Sequence, residues 1–179
     1  MAFRLCTDNE PVVLIEVSGA MSDAELSDMC TRVTHELRTQ QMRHARAAVV
    51  LDFTYADTIA PHQRKMIGQW RRDVRELTRH VCVGMAMVVR TPLVRGVLTA
   101  IGWFSPEPVP VVYLSTFEEA IDWAVSACTR AGIRVPPRVL RRVRAIGWMR
   151  DPAPSSIVSA SLAATEGDFP KRQQARTNR

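Results

Sequence analysis

The chain has 179 residues, of which 46% are apolar and 23% charged, and this is the composition of an ordinary globular protein. The length is enough for one domain with a buried core plus a tail. The net charge of +6 is unevenly distributed, because residues 1–133 carry −1 and residues 134–179 carry +7. The basic character is therefore a property of the C-terminal segment and says little about the partners of the body.

The four cysteines do not form C-x-x-C pairs, and three of them occupy apolar positions of predicted elements: Cys30, Cys82 and Cys128. We expect these thiols to be reduced and buried, as is typical of a cytosolic protein. The first ten residues lack the apolar region of a signal peptide, which also favours a cytoplasmic location. The most apolar stretch, residues 81–104, contains Arg90, Pro92 and Arg95 near its middle, and these residues argue against a membrane span.

Apolar patterning and turn residues predict five strands, at residues 3–6, 12–17, 47–53, 81–89 and 111–114. Four helices are predicted between and after them, at residues 22–40, 61–80, 92–103 and 116–131, and the first and last begin with capping boxes. Strands separated by helices require crossover connections. We therefore expect an α/β domain over residues 1–133, with a mixed, mostly parallel four- to five-stranded sheet in β-β-α-β-α-β-α-β-α order.

The helix over residues 92–103 is predicted to turn Leu93, Val97, Leu98 and Ile101 toward the core. The four tryptophans are expected at inward or partly buried helix positions: Trp70, Trp103, Trp123 and Trp148.

A basic amphipathic segment covers residues 134–150, and residues 151–179 are expected to be disordered because Pro, Ser, Ala and Gly dominate there. Three interpretations remain open for the basic segment. We favour a helix packed on the domain through Val139, Leu140, Val143, Ile146 and Trp148, then a helix lying on an anionic membrane surface, and last a nucleic-acid contact, since no DNA-reading motif is present. The predicted membrane- or anion-binding residues are the exposed cations of this segment: Arg138, Arg141, Arg142 and Arg144.

The junction between residues 47 and 63 is the place where we expect a binding site. A buried strand is predicted to end in Asp52, a polar loop follows, and a helix opens at Pro61. Open α/β sheets bind their ligands at the carboxyl ends of the strands.

The same junction carries a resemblance to the STAS domain, a family that includes bacterial anti-sigma-factor antagonists. The matching segments are V-V-L-I-E-V-S-G-A-M-S-D-A-E-L at residues 12–26, V-V-L-D-F-T at residues 49–54, and the helix that begins at Pro61. The resemblance covers roughly residues 10–131, and it implies a STAS-like fold and a regulatory, protein-binding role.

In partner-switching STAS domains, a serine nine residues after the strand-ending Asp is phosphorylated. Here that position is Pro61, and the acidic residue before it is replaced by Ala60. Thr58 is the nearest hydroxyl and therefore a candidate phosphosite, although the simpler prediction is that Thr58 caps the following helix with help from Asp57.

Helix 61–80 carries a net charge of +4, and its cations are predicted to face away from its apolar side. They form either a solvated surface or a docking surface for a protein partner with an acidic surface. The predicted partner-binding residues are Thr54, Asp57, Thr58, His62, Arg64, Lys65, Arg71, Arg72 and Arg75.

Nothing in the sequence forms a catalytic constellation. His62 is predicted near Asp52 and Asp57, but without a placed nucleophile a surface role is the simpler interpretation. The histidines lack metal-ligand spacing, and no glycine-rich phosphate loop or cofactor motif is present. We expect a non-enzymatic cytoplasmic regulatory module that binds a protein through the switch-helix region. The alternative is a peripheral lipid-binding protein that uses the Arg-rich helix and the basic tail.

Overall fold

A computed structural model describes residues 3–57, 59–104 and 106–150, with the side chains of residues 3–57, 59–103 and 106–146. The strands are β1 (Phe3–Cys6), β2 (Val12–Gly19), β3 (Ala47–Ala56), β4 (Cys82–Val88) and β5 (Val111–Leu114). The helices are α1 (Asp23–Met42), α2 (Pro61–Asp73), α3 (Arg75–Val81), α4 (Pro92–Phe104), α5 (Phe117–Arg130) and α6 (Pro137–Arg150). The predicted disordered tail, residues 151–179, lies outside the described residues.

The five strands form one sheet in the order β1-β2-β3-β4-β5. β1 runs antiparallel to β2, whereas β2, β3, β4 and β5 are parallel neighbours. The predicted fold class, a mostly parallel five-stranded α/β sheet, is therefore confirmed.

The two faces of the sheet are covered by different helices. Because side chains alternate along a strand, Val50 faces α5 and α6, and Val49 faces α1, α2 and α3. The α5 side is tightly packed, since a Cβ at Gly84 would stand 2.6 Å from the ring of Trp123. The side of α1 to α4 contains two separate clusters of buried residues, one beneath α1, α2 and α3 and the other beneath α4.

The capping boxes predicted for the first and last helices of the domain are both present. The Ser22 hydroxyl accepts the backbone N–H of Glu25 at the start of α1, and the Thr116 hydroxyl accepts that of Glu119 at the start of α5. Each pair satisfies amide groups that the first helical turn would leave unpaired.

Two element boundaries differ from the prediction at the candidate junction. β3 continues to Ala56, so Asp52 lies within the strand, buried, with its carboxylate accepting the Thr54 N–H at 2.9 Å. The predicted helix over residues 61–80 divides at Val74, whose backbone leaves helical geometry. The break was not visible in the sequence because Val74 itself is buried, so the apolar spacing continues through it.

The predicted orientation of α4 is confirmed for Leu98 and Ile101, which are buried, and is wrong for Leu93, which is 63% exposed. Val94 is buried in its place, and Trp103, which was expected to be at least partly buried, is 80% exposed. Arg95 is the only charged residue among the 13 residues of α4. A helix that is apolar around most of its circumference gives no contrast from which to infer its inner side.

α6 packs onto the domain, which was the favoured interpretation of the basic segment. Val139 and Val143 join the same buried cluster as α5, and Val143 is fully buried. The arginines at 138, 141, 142 and 144 are exposed, and Arg144 contacts Asp122 of α5 at 2.9 Å.

If α6 is an integral part of the folded domain, Val143→Ala should lower the free energy of unfolding by about 2 kcal/mol, because it removes two buried carbon atoms and leaves a void. Arg142→Ala, at an exposed position on the same helix, is the matched control and should change it by less than about 0.5 kcal/mol. Urea denaturation measures both values. Equal stabilities of the two variants would contradict the packing of α6.

Candidate functional site

A cavity of about 150 Å³ lies between the sheet and helices α1 to α4, where the two clusters of buried residues meet. Its walls are almost entirely apolar. Typical lining residues are Val49, Leu51 and Met87 from the sheet and Met29, Ile67 and Leu98 from the helices.

The residues that line the cavity are spread widely over the domain. They include Ala47 and Ala56, the first and last residues of β3, which are about 30 Å apart at the rise of a strand. They also include Leu26 and Gln40 of α1, about 21 Å apart along the helix. The volume of 150 Å³ is that of a cavity that takes up one benzene-sized molecule, so it suits a small apolar molecule and not a chain that follows the whole of β3.

Most polar groups in the lining are engaged with the protein. The Gln63 amide donates to the Met21 carbonyl at 2.8 Å and to Asp23 at 2.9 Å, and its carbonyl oxygen accepts the Ala60 N–H. The Gln40 amide donates to Glu10 and Glu36. These amides hold α1 and α2 in place rather than offering unused groups to a ligand.

The exception is a buried ion pair between Arg71 of α2 and Glu107 of the loop before β5. Arg71 Nε lies 2.6 Å from Glu107 Oε1, and the two side chains are only 11% and 13% exposed. The Nε–H is not directed at any acceptor within hydrogen-bonding geometry among the described residues, so the contact is ionic rather than an aligned hydrogen bond. Both residues line the cavity.

Burial determines the protonation behaviour of this pair. It raises the pKa of Glu107, although the nearby Arg71 and Arg75 oppose the shift, and it also raises the pKa of Tyr113. Arg75 Nη1 donates to the Pro106 carbonyl at 3.5 Å, so two arginines of α2 and α3 hold the loop that carries Glu107.

Arg71 does not lie where the sequence analysis placed it. It was assigned to an outward cationic surface, but it faces the cavity. The spacing contained the signal, because residue 71 follows Ile67 by four positions and precedes Val74 by three, and such residues share a helix face. Glu107 was missed entirely, since nothing in the sequence of its proline-rich loop indicates a buried carboxylate.

The remaining predicted partner-binding residues are spread over several environments. Lys65 and Arg72 are exposed on α2, whereas Arg64 and Arg75 are half-buried. The Arg64 guanidinium donates to the Ile59 carbonyl at 3.0 Å, and that of Arg72 donates to Gln69. Thr54 is half-buried in β3 and Asp57 is exposed at its end.

His62 pairs with Asp23 rather than with the two aspartates expected beside it. Its Nε2 lies 2.8 Å from Asp23 Oδ1, and hydrogen bonds from His62 and Gln63 lower the pKa of Asp23. Asp52, by its position in β3, faces α5 on the opposite side of the sheet from the cavity. The polar pocket of Asp52, Asp57 and His62 that an enzyme would need is therefore not formed.

α2 begins at Pro61, as predicted, and the residue preceding its first turn is Ala60. Ala60 has no side-chain oxygen that could cap the helix, and the side-chain oxygen of Gln63 accepts the Ala60 N–H. Thr58 itself, the candidate phosphosite, lies outside the described residues.

Two other kinds of site are absent from the described part of the chain. No cluster of three or more His, Cys, Asp or Glu side chains there has the arrangement of a metal site. None of the helices in residues 3–57, 59–104 and 106–150 combines the length and apolarity of a membrane span.

No protein-family model matches the chain, and no curated protein matches it. Among solved structures, the chain is similar to an uncharacterized protein of the DUF3478 family with a SpoIIAA-like fold from Shewanella loihica PV-4. The two share 13% sequence identity with a TM-score of 0.48, and the match covers 69% of this chain and 92% of that chain. The STAS-like fold class predicted from the sequence is the one that the strand order and helix order described above display.

The raised pKa of Glu107 predicts a specific pH dependence of stability. Relative to Glu107→Gln, the wild-type free energy of unfolding should fall as the pH rises from 4.5, the ordinary carboxyl value, through the higher pKa of the folded state. The reason is that the folded protein holds this proton more tightly than the unfolded chain does. Urea titrations at a series of pH values measure the difference. Glu118→Gln, which removes an exposed carboxylate, is the control. A free energy of unfolding of the wild type that rises with pH relative to that of Glu107→Gln would contradict the raised pKa of Glu107.

Proposed function

We propose that the chain is a non-enzymatic binding module of STAS type that takes one small apolar molecule into the cavity between the sheet and helices α1 to α4. The observation that carries this proposal is the cavity itself, with its apolar walls and its volume of about 150 Å³. The four cysteines are free thiols, which supports a function in the cytoplasm.

The energetic cost of an empty cavity supports the proposal. At about 24 cal/mol per Å³, leaving 150 Å³ unfilled costs on the order of 4 kcal/mol. The total stability of a domain is about 5–15 kcal/mol, so this is a large fraction of it. A molecule that fills the space would recover much of that cost as binding energy.

Water is a poor occupant of this cavity. A buried water needs two to four polar partners, and apolar cavities of about this size remain dry and bind molecules such as benzene. The amides of Gln40 and Gln63 already have protein partners. The lipid-binding alternative drawn from the sequence used the surface of the domain, whereas the ligand that we propose lies inside it.

Binding can be tested by isothermal titration of the full chain with propan-1-ol, hexan-1-ol and decan-1-ol. We expect saturable binding at one site with affinity that increases with chain length until the cavity is full, because each buried methylene contributes about 0.8 kcal/mol. Val49→Phe, which extends a lining residue into the cavity, should abolish binding without loss of stability.

The matched control is Val50→Phe, one residue along the same strand. Val50 is fully buried on the tightly packed α5 side, so the same enlargement should destabilise the fold by about 1–3 kcal/mol. Equal destabilisation by the two substitutions would show that no usable cavity exists beside Val49. The absence of alcohol binding to the wild-type chain would refute the proposed ligand class.

A protein partner with an acidic surface remains a second candidate, and the outer surface near the start of α2 favours it. Tyr55 is 63% exposed and Met66 is 37% exposed, and the exposed cations Lys65 and Arg72 lie on the same helix as Met66. Aromatic residues, Met and Arg are enriched at protein interfaces. The surface of Tyr55, Lys65, Met66 and Arg72 is smaller than the one predicted from the sequence. The predicted surface included Arg71, which faces the cavity instead.

A pull-down from native extract tests the second candidate. Lys65→Glu/Arg72→Glu should abolish retention of a specific protein, since reversing two rim charges repels an acidic partner. Arg141→Glu/Arg142→Glu, which reverses two exposed charges on α6, is the control and should retain the same protein. Loss of the protein only from the α6 variant would move the interface to the basic segment.

A further inference from the structure

We infer that the cavity ligand is a small apolar carboxylic acid, about the size of hexanoic acid, and that its carboxylate binds Arg71 in competition with Glu107. This inference rests on the proposed function and specifies its ligand. Among the described residues that line the cavity, Arg71 is the single cation.

The first argument is the incomplete use of the Arg71 guanidinium. This group carries five N–H donors in a planar fork that matches the two oxygens of a carboxylate. Glu107 approaches Nε at 2.6 Å, yet that N–H is fully buried and is not aligned with an acceptor among the described residues. A carboxylate that met the fork in two parallel hydrogen bonds would form a stronger interaction than the observed contact.

The second argument is electrostatic. An Arg on the wall of an apolar cavity must keep a negative partner, because an uncompensated buried charge is strongly destabilising. A neutral apolar ligand would leave Glu107 in that role. A carboxylate ligand can replace Glu107 with no change in the net charge of the site, and the burial that opposes ionisation of Glu107 favours its release to solvent.

The third argument is the position of the pair along the cavity. Arg71 lies near the C-terminal end of α2, and Glu107 lies in the loop that leads into the first residue of β5. Both are therefore at the end of the sheet where the parallel strands begin. A carboxylate held there leaves the rest of the cavity, toward Ala56 and Ile59, for the apolar part of the acid.

The exchange would move the loop that carries Glu107. That loop is otherwise connected to the helices by the Arg75 contact with the Pro106 carbonyl, at 3.5 Å. Occupation of the cavity by an acid would therefore be coupled to the conformation of residues 106–110, whereas occupation by an alcohol would not.

The test compares hexanoic acid with hexan-1-ol by isothermal titration of the full chain near neutral pH. We expect the wild type to bind the acid more tightly. Arg71→Met should weaken acid binding by roughly ten- to a hundredfold, the loss associated with a hydrogen bond to a charged group, and leave alcohol binding unchanged. Arg72→Met, on the exposed side of the same helix, is the control and should change neither affinity.

Glu107→Gln provides a readout that a purely structural role of the pair would not produce. Removing the competing carboxylate should tighten acid binding and leave alcohol binding unchanged, whereas weaker acid binding would overturn the competition. If Arg71→Met alone does not fold, Arg71→Met/Glu107→Gln removes both charges and serves in its place.

The outcomes separate the two proposals. Equal affinities of acid and alcohol for the wild type, unaffected by Arg71→Met, would refute the carboxylate site and leave the apolar binding module intact. The absence of binding by either ligand would refute the proposed function.

Discussion

The connections between parallel strands determine the arrangement of this domain. β2, β3, β4 and β5 are neighbours in chain order, and each step between them requires a crossover through a helix. Crossovers of one hand that proceed in one direction all fall on the same face of the sheet. This constraint places α1, α2–α3 and α4 on one face of the sheet. The other face can be covered only by elements that follow β5 in the chain. A parallel sheet must be covered on both faces, and α5 and α6 provide that cover.

The two sides are consequently packed in different ways. On one side, α5 and α6 follow the last strand and pack as a pair, with Phe117, Ile121 and Val143 almost fully buried. On the other side, each helix is held at both ends by the strands it connects, and the core divides into two clusters. The cavity lies where these clusters meet. The ion pair of Arg71 and Glu107 sits in its wall, where a charged pair is costly unless something else requires it.

Local signals explain what the sequence could predict. The capping boxes at Ser22 and Thr116, and the strand order, were all accessible because caps and apolar periodicity are encoded within a few residues. The inward orientation of Arg71 was also accessible from its spacing. The full orientation of α4 could not be inferred from the sequence, because its residues are apolar on nearly every side. Arg71 and Glu107 form an ion pair although they are 36 positions apart in the chain. A cavity is a lack of contacts. No local residue pattern therefore predicts the ion pair or the cavity.

An internal void also changes how the protein responds to hydrostatic pressure. Unfolding eliminates internal voids, and pressure favours the state of smaller volume. The volume change on unfolding scales with the void volume that is eliminated, so the 150 Å³ of the cavity should make that change more negative. The empty protein should therefore unfold at comparatively low pressure, beginning on the side of α1 to α4, while the tightly packed side of α5 and α6 is the last to be lost.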